Sequence, residues 1–479
     1  MKQRKILSSF LLPLGDLLLV IGVFLLGYWL RHFILSDVFQ NLLRVSDDFR
    51  LDLWHYVISG TVMGVIEIIM LQAFGVYRRE YGLAKVEELA WILRSSFMAV
   101  IITFAFSFAT RQLLFSRFVL LFAFPATSIA ISIWHGVFHR LARRFALSRG
   151  KGIKVAVYGS GSLAVELAEF MEKRALVPYE IAGFVLTESG RDTSPESGAK
   201  IFESFSRMFE WMRLNGVSEL IVADPELSRE NMASLIYNCE QEGVPYKLVA
   251  DVFTLVSLTT RVVHMGGTIM IESVPPPLSG SRILLKRIID LIITVPLTIL
   301  LLPLGFLTAV FIVIDTGLPV FYIQTRLGRM NRKFRMFKFR SMKIGAHQKR
   351  DKLKEANEAG GLLFKIRDDP RVTRAGRFIR KWSIDELPQL LNVIMGDMSL
   401  VGPRPPLPEE VEEYSERHLK RLETAPGITG VWQVSGRSGL GFSEMVKLDL
   451  YYVDNWSIWM DLSILILTVP AIFFKEGAY

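Results

Sequence analysis

The chain has 479 residues, a formal net charge of +9 and 51% hydrophobic residues, with a mean hydropathy of +0.34. It is too long for one compact core and too apolar for an ordinary soluble protein, so several domains with membrane segments are expected. Cys239 is the single cysteine, which excludes intramolecular disulfides and cysteine-built metal sites. The excess of Lys and Arg points to cytoplasmic loops and anionic headgroups rather than nucleic acid.

Four apolar stretches come first: Leu7–Leu30, Leu53–Phe74, Leu93–Thr110 and Phe118–Phe138. Each is long enough to cross about 30 Å of hydrocarbon as a helix, and residues 1–145 read as a four-helix transmembrane bundle. The first stretch follows Lys2, Arg4 and Lys5 and reads as a span, not a cleaved leader. Arg78, Arg79 and Lys85 in the second connection, and Arg140 to Lys154 after the fourth helix, place those loops and both bundle ends in the cytoplasm. Asp16 and Glu67 fall within apolar spans and are expected to face the bundle interior or an interface.

Residues 146–270 change character. Ile153–Tyr158, Ile181–Val185, Leu220–Ala223 and Tyr246–Val249 are strand patterns alternating with helical runs, so a parallel α/β domain of Rossmann type is expected. Its Gly159-Ser-Gly161-Ser-Leu-Ala164 turn has the form that cradles a pyrophosphate. Leu186 and Thr187 stand where a ribose-binding acid is wanted, so a structural domain and a nucleotide site both stay open. Residues 271–281, with Pro275-Pro276-Pro277, read as a stiff linker.

Leu291–Ile314 carries no charge and has the length of a fifth span, but Pro296 and Pro303 interrupt it. A full crossing would also carry the basic stretch up to Arg380 outside. A re-entrant helix over about 283–314, bent near Pro303, keeps that stretch cytoplasmic.

The remaining chain, 282–479, holds the candidate chemistry. Asp385 and Glu386 are adjacent acids among Lys338, Arg377, Arg380 and Arg404. A carboxylate can attack an activated phosphorus, while arginines and a carboxylate-held divalent cation neutralise a diphosphate. Ser383-x-x-Glu386 is equally a capping-box pattern, although Pro388 sits awkwardly for that register. Residue types alone leave both readings standing.

The order of motifs goes further. Lys338-Phe-Arg-Ser-Met342, Asp369-Pro-Arg-Val-Thr373, Gly376-Arg-Phe-Ile-Arg380, Ser383-Ile-Asp-Glu-Leu-Pro-Gln389, Gly396–Pro405, Pro426-Gly-Ile-Thr-Gly430 and Trp432–Arg437 closely resemble the polyprenyl-phosphate hexose-1-phosphate transferases, or monotopic phosphoglycosyl transferases. With the bundle and α/β module, the chain resembles their long subgroup, which starts O-antigen, capsule and exopolysaccharide synthesis. The resemblance implies a membrane bundle, a Rossmann-like domain and a mainly α monotopic catalytic domain with a re-entrant helix. It implies transfer of hexose-1-phosphate from a UDP-hexose to undecaprenyl phosphate with loss of UMP, through an aspartyl intermediate on Asp385. Glu386 would hold Mg²⁺, Arg380 and Arg404 would bind phosphate with Lys338 and Arg377 nearby, and Asp461 and Asp449 would belong to the substrate site. Asn455–Asp461 and the terminal Gly477-Ala-Tyr479 favour galactose or glucose. The family's Ser-Pro helix break is Leu302-Pro303 here, so the serine is missing.

The resemblance also suggests a symmetric homodimer at the bacterial inner membrane, its soluble parts facing the cytoplasm. Lys286 and Arg287 are expected among headgroups, and Leu462–Phe474, too short to span, at the interface. A membrane-anchored nucleotide-sugar dehydratase or epimerase would need a Tyr-x-x-x-Lys pair and a second Gly-rich unit after residue 280, and neither is found. A non-catalytic scaffold for polysaccharide assembly would not need Asp385, Glu386 and the arginines.

Overall fold

The computed structural model describes residues 2–30, 52–78, 84–109, 117–148, 153–174, 179–187, 199–224, 227–249, 260–265, 268–273, 277–343, 345, 369–436 and 441–473. Two compact units divide the chain, Met1–Leu258 and Thr259–Tyr479.

The first unit opens with four helices: α1 (Lys2–Trp29), α2 (Leu53–Ala73), α3 (Ala84–Ala109) and α4 (Arg117–Ser148). α1 packs on α2 and α4, and α3 packs on the same two, closing a four-membered bundle. Val20, Phe24, Tyr56, Met63, Leu71, Ile92, Ala99, Ala123 and Ile131 fill its centre. Among the described residues, Leu11–Trp29, Leu53–Ala73, Lys85–Phe108 and the later Ser281–Thr316 are long and apolar enough to cross a membrane. The expected fourth span lies in α4, where Pro125, Ser128, Ser132 and His135 dilute the apolar run. α3 begins at Ala84, well before Leu93, and the charges of this stretch have partners: Glu88 meets two histidines of α4, and Arg94 lies over the rings of Phe74 and Trp91. Asp16 and Glu67 are both buried. Asp16 accepts from Tyr77, and Glu67 accepts from Ser96. Of the two expected settings, both acids occupy the bundle interior.

The same unit continues as β1 (Ile153–Tyr158), α5 (Ser162–Arg174), β2 (Tyr179–Thr187), β3 (Lys200–Phe202), α6 (Phe205–Leu214), β4 (Glu219–Val222), α7 (Arg229–Gln241) and β5 (Tyr246–Leu248). The five strands form one sheet in the order β3-β2-β1-β4-β5, with every pair parallel. This is the doubly wound order 3-2-1-4-5, with its switch point between β1 and β4, as the alternation of strand and helix predicts. At the end of β2 the hydroxyls of Thr187 and Tyr158 lie 2.9 Å apart inside the domain, so the position where a ribose-binding acid is wanted serves packing. Glu188 lies outside the described residues.

The second unit starts with a hairpin absent from the sequence reading, β6 (Thr260–Met265) and β7 (Thr268–Ser273). Next is α8 (Ser281–Thr316), 36 residues with both prolines inside, about 54 Å if straight at 1.5 Å per residue. Its buried residues are Lys286, Asp290, Thr294, Thr308 and Ile312. Advancing 100° per residue, these five share one face. Between the two groups, none of residues 295–307 is buried.

The two ends of α8 are tied down by named contacts. At its start Lys286 pairs with Asp461 at 2.7 Å, Arg287 donates to the carbonyls of Val393 and Ile394, and Asp290 accepts from Ser399 at 2.7 Å. At its end Arg340 donates to the carbonyls of Thr316 and Gly317, and Asp315 accepts from the Ala375 amide at 2.9 Å. Lys286 is therefore paired inside the domain on the face that α8 buries and not among headgroups, while Arg287 next to it is half-buried and bound to the Val393 and Ile394 carbonyls.

Beyond α8 run the antiparallel pair β8 (Phe321–Leu327) and β9 (Lys333–Phe339), α9 (Arg374–Lys381), α10 (Gln389–Met395), β10 (Ser399–Val401), α11 (Pro408–Glu412), α12 (Glu416–Leu419), β11 (Gly427–Thr429), α13 (Val431–Ser435), α14 (Phe442–Asn455) and α15 (Ile458–Phe473). The apolar α15 has only 16 residues. The charged segment His347–Gly361 and the terminal Gly477–Tyr479 fall outside the described residues.

Candidate active site

Asp385 and Glu386 end a single 3₁₀ turn, Ile384–Glu386, between α9 and α10. Ser383 enters it in the left-handed region (φ 55°, ψ 22°) and makes no side-chain cap. The capping-box reading therefore fails, and Ser383 is a bend that turns the chain out of α9. A non-glycine residue held there is uncommon and marks a turn fixed by its surroundings. Those surroundings are apolar: Ile384 and Leu387 pack on Ile312 of α8, Phe339 of β9 and Ile379 of α9. The two acids are set on a floor made by three elements.

β9 brings Lys338, whose Nζ donates to Glu386 Oε1 at 3.0 Å. α9 brings Arg380, half-buried, while Arg377 on the same helix is exposed. Partial burial pushes the Asp385 carboxyl from 3.8 up to about 6, against the pull of Lys338; Glu386 adds to the rise and Arg380 opposes it. The acid pair is thus differentiated. Glu386 holds a direct ion pair, and Asp385 is a more basic carboxylate flanked by cations at longer range.

The neighbouring motifs position this turn. Thr373 caps α9 by accepting from the Gly376 amide at 2.8 Å. A Cβ on Gly376 would stand 2.0 Å from the Ser341 carbonyl oxygen, so only glycine lets α9 lie against the chain that leaves β9. Asp369 and Arg371 form a two-pronged pair at 2.8 and 2.6 Å, and Arg371's carbonyl receives the Lys343 amide at 2.9 Å. Gly402 plays a similar part below β10: its Cβ would meet the Ala425 carbonyl oxygen at 2.5 Å.

The other expected site residues lie in different neighbourhoods. Arg404 is half-buried beside Tyr414, Arg421 and Asp449, and its carbonyl accepts from Arg421. Asp449 is 1% exposed and is paired with Arg421; burial raises its carboxyl to about 6 despite that guanidinium. Asp461 accepts from Lys286, from Tyr452 at 2.7 Å and from the Trp456 indole at 3.0 Å. Asp449 and Asp461, expected at the substrate, are thus engaged inside the domain, and Asp461 anchors the start of α8. Pro303 lies within α8, in the stretch where nothing is buried. A cleft of about 490 Å³ opens at the α8 start, between Arg287, Arg329, Arg332, Asp397 and Glu423, and does not include the acid turn.

Sequence reasoning missed the residues that hold the ends of α8, Asp290, Asp315 and Arg340, and Arg421, which pairs with Asp449. Lys286 and Asp290, four apart in an apolar run, were the one available signal, because such spacing marks a single helix face.

The fold combines a bundle of long apolar helices, a five-stranded parallel sheet of Rossmann type and a unit in which an acid turn is set beside cations, and comparison with known proteins places it among membrane-associated transferases. The sequence pattern of the bacterial sugar transferase family matches residues 281–475, and that of a CoA-binding domain matches residues 72–250. The chain is 51% identical over 163 residues to a galactosyl transferase of Streptococcus agalactiae, covering 34% of this chain and 36% of that relative. It is 28% identical to the undecaprenyl-phosphate galactose phosphotransferase of Salmonella typhimurium, across 100% of this chain and 99% of the relative. It is 39% identical over 198 residues to an exopolysaccharide production protein of Sinorhizobium fredii, covering 40% of this chain and 88% of the relative. The chain belongs to the bacterial sugar transferase family.

Proposed function

We propose that this enzyme transfers hexose-1-phosphate from a UDP-hexose, with galactose or glucose favoured, to undecaprenyl phosphate, beginning a surface polysaccharide. The observation that carries this reading is the fixed Asp385-Glu386 turn, with Lys338 and Arg380 beside it, built on the end of an apolar helix. A carboxylate oxygen of Asp385 attacks the phosphorus next to the sugar. The phosphorus–oxygen bond to UMP breaks, UMP leaves, and a phosphosugar–aspartyl intermediate remains. A phosphate oxygen of the lipid then attacks the same phosphorus, the acyl-phosphate bond breaks, and Asp385 is freed as carboxylate. Lys338 and Arg380 offer charge to the phosphates beside the turn, and Arg404, which lies by Arg421 and Asp449, enters as a further phosphate-binding residue from the family resemblance alone.

Mg²⁺ fits the donor set, because a hard cation with few protein ligands takes carboxylate, water and phosphate oxygens. Glu386 would hold it, sharing its carboxylate with Lys338, and the ion would supply charge neutralisation on the diphosphate.

In this reading α8 enters the cytoplasmic leaflet, bends near Pro303 and returns. The support is that the same face is bound into one compact unit at both ends, leaving residues 295–307 to lipid. A full crossing would carry the two ends to opposite sides of about 30 Å of hydrocarbon. The site then lies at the cytoplasmic surface of the inner membrane, where a soluble donor meets a lipid acceptor. A homodimer fits the long subgroup that the chain resembles.

The test is UMP release with a panel of UDP-sugars and undecaprenyl phosphate, alongside protein labelling by UDP-sugar radioactive in the sugar. Wild type should release UMP with one or two hexoses, whereas Asp385→Asn should release none and take up no label. Full turnover by Asp385→Asn would remove the nucleophile assignment.

A further inference from the structure

The membrane bundle contains a second constellation that the transferase chemistry does not use. His135 and His139 are four residues apart on α4 and present their rings on one face. Glu88 reaches them from the start of α3. His135 Nδ1 lies 2.7 Å, and His139 Nε2 3.3 Å, from the same Glu88 oxygen. The three donor atoms lie within 4.8 Å of one another. Behind them, His135 Nε2 is 3.2 Å from both oxygens of Asp16, and the Tyr77 hydroxyl donates to Asp16 at 2.6 Å.

We propose that Glu88, His135 and His139 bind one divalent transition-metal ion, with zinc the best match to two imidazoles and a carboxylate. The ligand set is of the type zinc takes when a further position is left to water. Donors of a tetrahedral zinc at about 2.0–2.1 Å stand roughly 3.3 Å apart. His139 already has that spacing from Glu88, His135 needs to draw back from Glu88 by roughly 0.6 Å, and the two imidazole nitrogens, which lie within 4.8 Å of each other, close to the same spacing by ring rotation. The second shell is also in place. A proton on His135 Nε2 donated to Asp16 leaves the Nδ1 lone pair for the ion, the carboxylate–histidine–metal arrangement that fixes a ligand's tautomer. Tyr77 in turn orients Asp16. The His135 side chain is 1% exposed, but Glu88 is 20% and His139 29% exposed, which leaves a side open for the ion and a water. The ion would pin α3 to α4, and Asp16 with Tyr77 would tie α1 and the turn after α2 to the same point.

The experiment uses the full chain in detergent, purified without a polyhistidine tag and stripped by chelator. Binding of Zn²⁺ alone is measured by calorimetry and metal analysis, and Co²⁺ replaces it for visible spectroscopy. Wild type should take up one Zn²⁺ per chain, and excess Zn²⁺ at a hundredfold over Kd should raise its unfolding temperature by about 5 °C or more. Bound Co²⁺ should show ligand-field bands of a nitrogen-containing low-coordinate site. His139→Ala and Glu88→Gln, both at partly exposed positions, should fold without metal yet bind at least about tenfold more weakly and lose the thermal shift. His135→Ala is avoided as the deciding variant because it opens the bundle core. Wild type binding Zn²⁺ no better than His139→Ala would overturn the site and leave the cluster as a hydrogen-bonded tie between helices.

Discussion

Asp385 and Glu386 are neighbours with different partners, and the difference is measurable. With the Asp385 carboxyl raised to about 6 by burial, the proposed nucleophile is protonated as pH falls through that value. The acid limb of kcat/KM should therefore lie near pH 6 and not near 4, falling about tenfold per unit below it. Lys338 favours the ionised form, so Lys338→Met should move the limb to higher pH as well as lowering the rate. A limb that stays put in that variant would detach Lys338 from Asp385. Gly376 carries a second residue-scale prediction. The group facing its missing Cβ is the backbone carbonyl of Ser341 at 2.0 Å, which cannot rotate away as a side chain can. Gly376→Ala should cost about 1–3 kcal/mol or more, read as a lower unfolding temperature with loss of UMP release, although no reacting group is touched.

At the scale of elements, α8 is held by ion pairs and carbonyl contacts, and Asp461 decides which role its carboxylate plays. As an anchor it neutralises buried Lys286 at 2.7 Å, so Asp461→Ala leaves that cation to the more distant Asp290 carboxylate at 3.9 Å, at a cost of about 3 kcal/mol. Thermal unfolding should show this loss, and Lys286→Met combined with Asp461→Leu should recover much of it. A substrate-binding role predicts instead an unchanged unfolding temperature and a raised KM. The sequence shows α8 itself through its charge-free length, and shows β1, β2, β4 and β5 through their apolar runs. It shows the acid turn through residue type and motif order. The anchors are hidden because their partners are remote in the chain: Lys286 and Asp461 are 175 positions apart, and Arg421 and Asp449 are 28 apart. No periodicity links such residues, and an acid in a motif reads as chemistry until its partner is seen. α3 was read too short for the same reason, since Glu88 looks like loop until the α4 histidines face it.

At the scale of the whole molecule, the two units divide the work. The acid turn, its cations and both ends of α8 belong to Thr259–Tyr479. The described contacts that hold the turn come from that unit: Ile312, Phe339 and Ile379 below it, and Lys338 beside it. A natural relative of 39% identity is matched over 88% of its length by only 40% of this chain, so a family member exists with little beyond this part. A chain beginning near Ser281 should therefore fold in detergent and keep measurable UMP release and labelling at Asp385. The bundle and α/β module would then supply membrane retention, assembly or regulation. Proper folding matters to the comparison, so the fragment is first checked for a cooperative unfolding transition. A fragment that unfolds cooperatively yet releases no UMP at any donor concentration would show that the first unit completes the site.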